Sequence, residues 1–97
     1  MSAPARSCRL DGRTRSRRAA LARLARELGF PGHFGHNLDA LFDVLTTDLP
    51  GPIEIVWGGR RRAELEADTE LGPVLATLEE AARARPDLTL RLEEPRT

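Results

Sequence analysis

The chain has 97 residues with fifteen basic and fifteen acidic side chains, so its formal net charge is zero. A chain of this length forms one domain with one modest core, and a zero net charge gives no indication of general affinity for nucleic acids. The single cysteine, Cys8, excludes an intrachain disulfide, and no apolar run approaches the roughly 20 residues that span a bilayer.

The charges are distributed unevenly along the chain. Residues 1–26 carry eight Arg and one Asp, a net of +7, whereas residues 27–57 carry five acids and no base, a net of −5. The remaining residues have a net charge of −2. We expect a single domain over residues 1–97, in which residues 1–6 are small and polar enough to fray.

The first half of the chain predicts a strand and two helices. "SCRL" alternates apolar and polar residues before a turn at Asp11-Gly12. Ser16 is a predicted N-cap, and the helix that follows ends at Gly29. After the loop "GHFGH", Asn37 is the predicted N-cap of a second helix, "LDALFDVL". The apolar face predicted for the first helix consists of Ala20, Leu21, Leu24 and Leu28.

The second half predicts two further strands. "IEIVW", residues 53–57, has the β-branched and aromatic content of a buried strand. A short helix over residues 61–66 precedes a longer one with Pro73 in its first turn, which Pro86 ends before the alternating "LTLRL". The longer helix is predicted to bury Val74, Leu75, Leu78 and Ala82. Strands separated by helices predict an α/β fold, a small three-stranded parallel sheet packed against helices.

The second helix carries two stripes. At about 100° per residue, Leu38, Leu41 and Leu45 cluster as a buried stripe. The second stripe faces away from the core and consists of Asp39, Phe42, Asp43 and Thr46. An exposed aromatic ring between two carboxylates is not needed for folding, because the ring gains free energy only when something else covers it. This stripe therefore predicts a contact surface.

Three alternatives remain open for the same residues. Phe42 could pack at the edge of the core while the aspartates solvate the helix, although the helix dipole accounts for Asp39 better than for Asp43. A metal site at His33, His36 and the two aspartates is less favoured, because no cysteine joins them and no HExxH pattern is present. An acid–base enzyme is least favoured, because the helical wheel places the carboxylates on a convex face.

The stretch "FPGHFGHNLDALFDVLTTDL" resembles the signature of the barstar family, small intracellular inhibitors of secreted microbial ribonucleases. The Pro, the aromatic–Gly pair, the Asn-Leu-Asp-Ala-Leu run and the following aromatic–Asp pair appear in order, and the likeness extends over nearly the whole chain. The resemblance implies a barstar-like three-stranded parallel sheet. It also implies a partner surface formed by the second helix and the loop before it.

The resemblance further implies a role for each site residue. Asp43 matches the carboxylate that enters the nuclease active site in place of RNA phosphate, and Asp39 matches the one that supports it. Glu80, on a later helix, would add a peripheral acidic contact. His33 stands where an aromatic residue is frequent, and Phe42 where Trp is commoner, so the identity of the nuclease stays open. The residues that would surround the entering carboxylate are His33, Phe34, Gly35, Asn37, Phe42 and Thr46.

The sequence thus predicts a cytoplasmic, non-catalytic inhibitor that forms a 1:1 complex with a microbial extracellular ribonuclease of the guanyl-specific type. The runner-up is a barstar-fold adaptor for a basic protein that is not a nuclease. A nucleic-acid binder that uses the arginines of residues 6–26 is third, and an enzyme is last. The favoured reading expects no cofactor, metal ion, nucleic acid, membrane or small-molecule substrate.

Overall fold

The computed structural model describes residues 4–95. The elements in chain order are β1 (Arg6–Leu10), α1 (Arg17–Leu28), α2 (Leu38–Asp43), a π-helical turn (Val44–Asp48), β2 (Ile53–Gly58), α3 (Arg62–Ala67), α4 (Gly72–Ala84) and β3 (Leu88–Glu93). Part of the segment expected to fray, residues 1–3, lies outside the described residues. The backbone N–H groups of Ala5 and Arg6 both donate to the carbonyl of Pro52, at 3.0 and 3.2 Å.

The three strands form one parallel sheet in the order β1-β2-β3, so the predicted α/β fold with a three-stranded parallel sheet is confirmed. The register aligns Cys8 with Ile55 and Leu90, which lie on the inner face of the sheet and belong to the core or pack against it. The outer face is polar except for the buried Val56, which lies between Arg9 and Arg91, and Arg91 bridges Glu54 and Glu93 there. The helices therefore pack against the inner face.

Helix α1 follows its sequence signals closely. The Ser16 side chain accepts a hydrogen bond from the Ala19 N–H, and Gly29 ends the helix with a left-handed backbone, φ 73°. Every residue of the predicted apolar face is buried, namely Ala20, Leu21, Leu24 and Leu28. The capping signals and the 3.6-residue period therefore predicted this helix correctly.

Helix α4 differs from its prediction by one residue. Val74, Leu75 and Leu78 are buried as predicted, but the next buried residue is Ala81, and Ala82 is only half-buried. At about 100° per residue, Ala82 lies nearer than Ala81 to the centre of the stripe that the other three define, so the helical period does not account for the burial of Ala81. Ala82 packs against the core from a half-buried position, so its predicted place on the apolar face is confirmed and its burial is only partial.

The second helix was predicted as α-helical through Leu45, whereas the structure changes to a π-helical turn after Asp43. The Leu49 N–H donates to the Val44 carbonyl at 3.1 Å, which is the wider π spacing. The hydroxyl groups of Thr46 and Thr47 donate to the carbonyls of Phe42 and Asp43. Threonine hydroxyls at this spacing compete with the backbone N–H groups of an α-helix, which explains the change.

The predicted apolar stripe of this segment survives the change in helix type. Leu41 and Leu45 are fully buried, Leu38 is half-buried, and Val44 joins the core at 5% exposure. Over residues 4–95, no helix has the length and apolar content needed to cross a membrane.

Candidate protein-binding site

Helices α2 and α4 enclose a groove with a volume of about 560 Å³, which we call the acidic groove. Its lining residues are Leu38, Asp39, Phe42 and Asp43 from α2, and Thr77 and Glu80 from α4. The sequence predicted a convex face here, and that was wrong because a helical wheel treats one helix alone and leaves out the wall that α4 supplies. The predicted residues Asp39, Phe42, Asp43 and Glu80 thus surround one concave site.

The acidic groove holds negative charge that the fold does not neutralise. Asp39, Asp43 and Glu80 are exposed, and none of the three forms an ion pair with any residue between 4 and 95. Glu79 provides a contrast, because it is paired with Arg62 at 2.6 Å. Carboxylates that lie close together without counterions repel each other and attract a cationic partner.

The sequence left two interpretations of Phe42 open, an exposed contact residue or a residue at the edge of the core, and the structure shows features of both. Its side chain is half-buried and packs against the core, and it also lines the acidic groove. The expected exposed aromatic is therefore only partly exposed. With Leu38, the ring gives the groove an apolar floor between carboxylates.

The loop before α2 points two neighbouring side chains in opposite directions. The Phe34 N–H donates to the Pro31 carbonyl at 3.0 Å, which closes a turn with the exposed His33 inside it. Phe34 is only 6% exposed, and its ring contacts Phe30 edge-to-face at a centroid distance of 4.8 Å. The Phe34 side chain therefore anchors the loop from within, whereas His33 faces solvent.

The last residues of the loop fix the start of α2. The Asn37 side chain accepts from the Ala40 N–H at 2.8 Å and donates to the Gly35 carbonyl at 3.4 Å. His36 adopts a left-handed backbone, φ 53°, and its Nδ1 lies 3.1 Å from the Phe34 carbonyl. Since a carbonyl only accepts, Nδ1 carries the proton. From the sequence, His36 was a candidate only as a metal ligand, and no sequence signal predicted this supporting role.

The far end of the site depends on Arg85, which sequence reasoning missed. Its guanidinium donates to the Leu45 carbonyl in the π-helical turn at 2.7 Å and to the Asp87 carboxylate at 2.6 Å. This hydrogen bond from Arg85 is the main reason that the pKa of Asp87 lies below its usual value. An added Cβ at Gly51 would lie too close to Asp87 Oδ2 and the Arg85 guanidinium, so a side chain there would displace this pair.

The other predicted site residues do not line the acidic groove. His33, Gly35 and Asn37 belong to the loop before α2, and the half-buried Thr46 uses its hydroxyl to bond the Phe42 carbonyl at 2.7 Å. Thr77 lines the groove and was not predicted, although its position three residues before Glu80 on α4 places the two on one face. Within the described part of the chain, no three His, Cys, Asp or Glu residues are grouped closely enough to hold a metal ion.

The structure is thus a small α/β protein with a three-stranded parallel sheet and a groove whose carboxylates form no ion pair within the described residues. Comparison with protein-family models matches residues 5–93 to Barstar, described as barnase inhibitor. The chain therefore belongs to the Barstar family, a family of ribonuclease inhibitors and not of enzymes, which confirms the resemblance of its motif. A search among curated proteins found no match.

Proposed function

We propose that this protein inhibits a microbial extracellular ribonuclease of the guanyl-specific type by covering its active site in a 1:1 complex. The observation that carries the proposal is the acidic groove, where three exposed carboxylates lack a counterion among the described residues. A ribonuclease binds RNA phosphate with cationic side chains. Carboxylates presented together form charge-assisted hydrogen bonds with the same cations.

The proposal gives the residues of α2 different roles. Asp43 enters the nuclease active site in the place of a phosphate group, and Asp39 supports it from one turn earlier on the same side of the helix. Phe42 lies between them and provides apolar surface that the partner covers. Glu80 adds a peripheral contact from the opposite wall of the groove. Central charged and aromatic residues of this kind usually carry most of the binding energy of an interface.

The loop before α2 extends the proposed contact surface. His33 meets the partner with its ring because it lies exposed in the turn, and Gly35 and Asn37 contribute exposed surface beside it. Phe34 contributes by holding the turn from inside. Thr46 lies at the edge of the surface, one turn beyond Phe42.

The proposed inhibitor acts by occupancy and breaks no bond. We place it in the cytoplasm, where thiols stay reduced. Burial, with a smaller contribution from Glu27, raises the pKa of the Cys8 thiol to about 12, so this side chain is not a reactive thiolate at neutral pH.

The test is a titration of RNA cleavage. Secreted microbial ribonucleases of the guanyl-specific type are mixed with increasing amounts of the protein, and cleavage of an RNA substrate is measured. We expect activity with at least one of them to fall linearly and to vanish at one equivalent. Glu66→Ala serves as the control for lost negative charge, because Glu66 is exposed on α3 and outside the groove, and it should inhibit like the wild type.

Two results would contradict the proposal. A stable complex that leaves cleavage unchanged would indicate an adaptor that binds a nuclease away from its active site. Failure to bind any ribonuclease of this type would remove the assigned partner class altogether.

A further inference from the structure

A second charged region of the molecule is basic and lies on α1 and the loop before it. Eight arginines and one aspartate fall within residues 4–26. Arg9 and Arg23 are ion-paired, with Glu93 and Glu27 respectively. The guanidinium groups of Arg6 and Arg17 donate to backbone carbonyls. Four arginines remain without an ion-pair partner anywhere in residues 4–95, namely Arg13, Arg15, Arg18 and Arg26.

Two of these arginines border a shallow groove of about 300 Å³. Arg13 and Arg26 line it together with Arg23, Thr14, Ala19 and Ala22. Both alanines are exposed, so the groove is lined by methyl groups as well as by arginine side chains. Arg18 precedes Ala22 by four residues and Arg26 follows it by four, so the row of charge continues along the helix face.

The loop after β2 brings further positive charge to the same end of the sheet. An added Cβ at Gly59 would lie 2.9 Å from the Gly12 nitrogen, so the loops after β1 and after β2 are in close backbone contact. Arg13 and Arg60 are therefore each one residue along the chain from this point of contact. We define the basic surface as Arg13, Arg15, Arg18 and Arg26 together with the shallow groove.

We propose that the basic surface binds the phosphate backbone of a nucleic acid. A guanidinium group offers planar, paired N–H donors that match phosphate oxygens, and these four arginines have no ion pair to give up on binding. The small side chains of Ala19 and Ala22 leave room for a sugar-phosphate chain to approach the helix. The zero net charge that argued against nucleic-acid binding averages over a basic region and an acidic one that the fold keeps on different helices.

The composition of the surface favours nucleic acid over a protein or a membrane. Protein interfaces are anchored by aromatic and large apolar side chains, and membrane-surface helices present such side chains on their apolar face. The apolar residues that line this groove are only the two alanines. No aromatic residue lines it either, so bases would not stack there, and binding should be weak and independent of sequence.

The experiment uses the full-length protein and a short fluorescently labelled single-stranded RNA, with binding followed by anisotropy. We expect a dissociation constant between about 10⁻⁴ and 10⁻⁶ M, rising steeply between about 50 and 200 mM salt. The logarithmic salt slope should be about −0.7 for each phosphate contact on a single strand. A labelled DNA duplex should bind with similar salt sensitivity, because the backbone is what is recognised.

Substitutions separate this surface from a general charge effect. Arg13→Gln and Arg26→Gln should each weaken RNA binding severalfold and make the salt slope shallower by about 0.7. Arg83→Gln is the matched control, since Arg83 is exposed on α4 and has no ion pair in the described chain, and it should change affinity less than about twofold. Thermal unfolding of each variant verifies that its fold is intact.

Three outcomes would overturn the proposal. The first is no RNA binding at low salt, and the second is an equal loss of affinity in Arg83→Gln. The third is tighter binding to anionic lipid vesicles than to RNA, which would assign the surface to a membrane. The ribonuclease titration does not involve these arginines, so either proposal can fail without the other.

Discussion

Helix α1 and the α2 segment are both amphipathic, but the protein builds them in different ways. Helix α1 runs for 12 residues and is closed at both ends by its sequence neighbours, Ser16 and Gly29. Helix α2 has 6 residues and continues as a π-helical turn, whose Leu45 carbonyl is held by Arg85, 40 positions along the chain. Asn37 caps the start of α2 as Ser16 caps α1, so the difference lies at the far end of the α2 segment, which a tertiary contact with Arg85 positions. Binding by this segment should therefore respond to substitutions far from it in sequence.

The two regions share one property, since each presents charges that find no partner in the described part of the chain. Such charges contribute little to folding, because a surface charge without a counterion gains almost nothing from the native state. Substitutions of these side chains should therefore change binding while stability stays the same. Substitutions that weaken the supports of each helix should lower stability, and those next to the acidic groove should weaken binding as well.

The largest expected effect is that of Asp43→Ala on ribonuclease binding. Removing a central carboxylate leaves the partner's cations unpaired, which costs about 2–5 kcal/mol, a range that rests in part on the barnase–barstar complex itself. This corresponds to about a 30- to 4,000-fold loss of affinity. The measurement is a binding titration beside a thermal unfolding curve, with Glu66→Ala as the charge control.

The thermal midpoint of Asp43→Ala should match that of the wild type, because Asp43 is exposed. A loss of affinity below about threefold with the midpoint unchanged would remove Asp43 from the centre of the interface.

The next largest effect is that of Arg85→Gln on stability. The Arg85 side chain is only 14% exposed, and it donates a charge-assisted hydrogen bond to the Leu45 carbonyl. Losing that bond should lower the free energy of unfolding by about 1.5–3 kcal/mol. Urea unfolding measures the change, and Arg83→Gln, two residues earlier and exposed, should stay within about 0.5 kcal/mol of the wild type.

Arg85→Gln also tests whether the support that Arg85 gives to the π-helical turn affects ribonuclease binding. Arg85 does not line the acidic groove. If it positions the π-helical turn, Arg85→Gln should nevertheless weaken ribonuclease binding. Equal stability of Arg85→Gln and Arg83→Gln would show that Arg85 does not support the turn.

The sequence predicted the helix boundaries and the strands of this fold, but not the support from Arg85. Ser16, Gly29 and Asn37 were predicted as helix boundaries because capping depends on residues three or four positions away. The strands were predicted from alternation, which the register confirms. In both cases the information lies within a few residues of the structure it specifies.

The remaining features depend on contacts between distant residues, and the sequence carries no short-range signal for them. The acidic residues Asp39 and Asp43 could be identified on one helix face, but the concavity of their site depends on α4. The inward direction of Phe34 depends on Phe30 and the core. The support from Arg85 links two residues that no periodicity connects.

A smaller effect should come from the helix caps. Ser16→Ala and Asn37→Ala each remove a side chain that accepts from a helix N–H, so each should lower the free energy of unfolding by about 1 kcal/mol. Only Asn37→Ala should also weaken ribonuclease binding, because Asn37 holds the Gly35 carbonyl and precedes Asp39. Equal binding by both variants would show that the loop geometry does not matter to the partner.

The smallest expected effect is the response of the Arg85–Asp87 pair to acid. Asp87 is exposed, and the hydrogen bond from Arg85 holds the pKa of its carboxyl below the ordinary value of 3.8. A lowered pKa means that the unfolded chain binds more protons than the folded protein in this range of pH. The stability that the pair contributes is therefore fully present above the ordinary pKa and is lost as the pH falls through the folded one.

The measurement compares thermal midpoints of the wild type and Asp87→Asn from about pH 6 down to about pH 3. Asp87→Asn lacks the charged pair at every pH, so it should be slightly less stable at neutral pH, and its deficit should shrink as Asp87 of the wild type becomes protonated.

The pKa values of Glu27, Asp68 and Glu93 are also lowered, by hydrogen bonds from backbone or arginine groups, but these carboxyls titrate in both proteins and cancel in the difference. A deficit that stays constant over the whole range would show that the charge of Asp87 contributes nothing, and that Arg85 supports the π-helical turn through the Leu45 carbonyl alone.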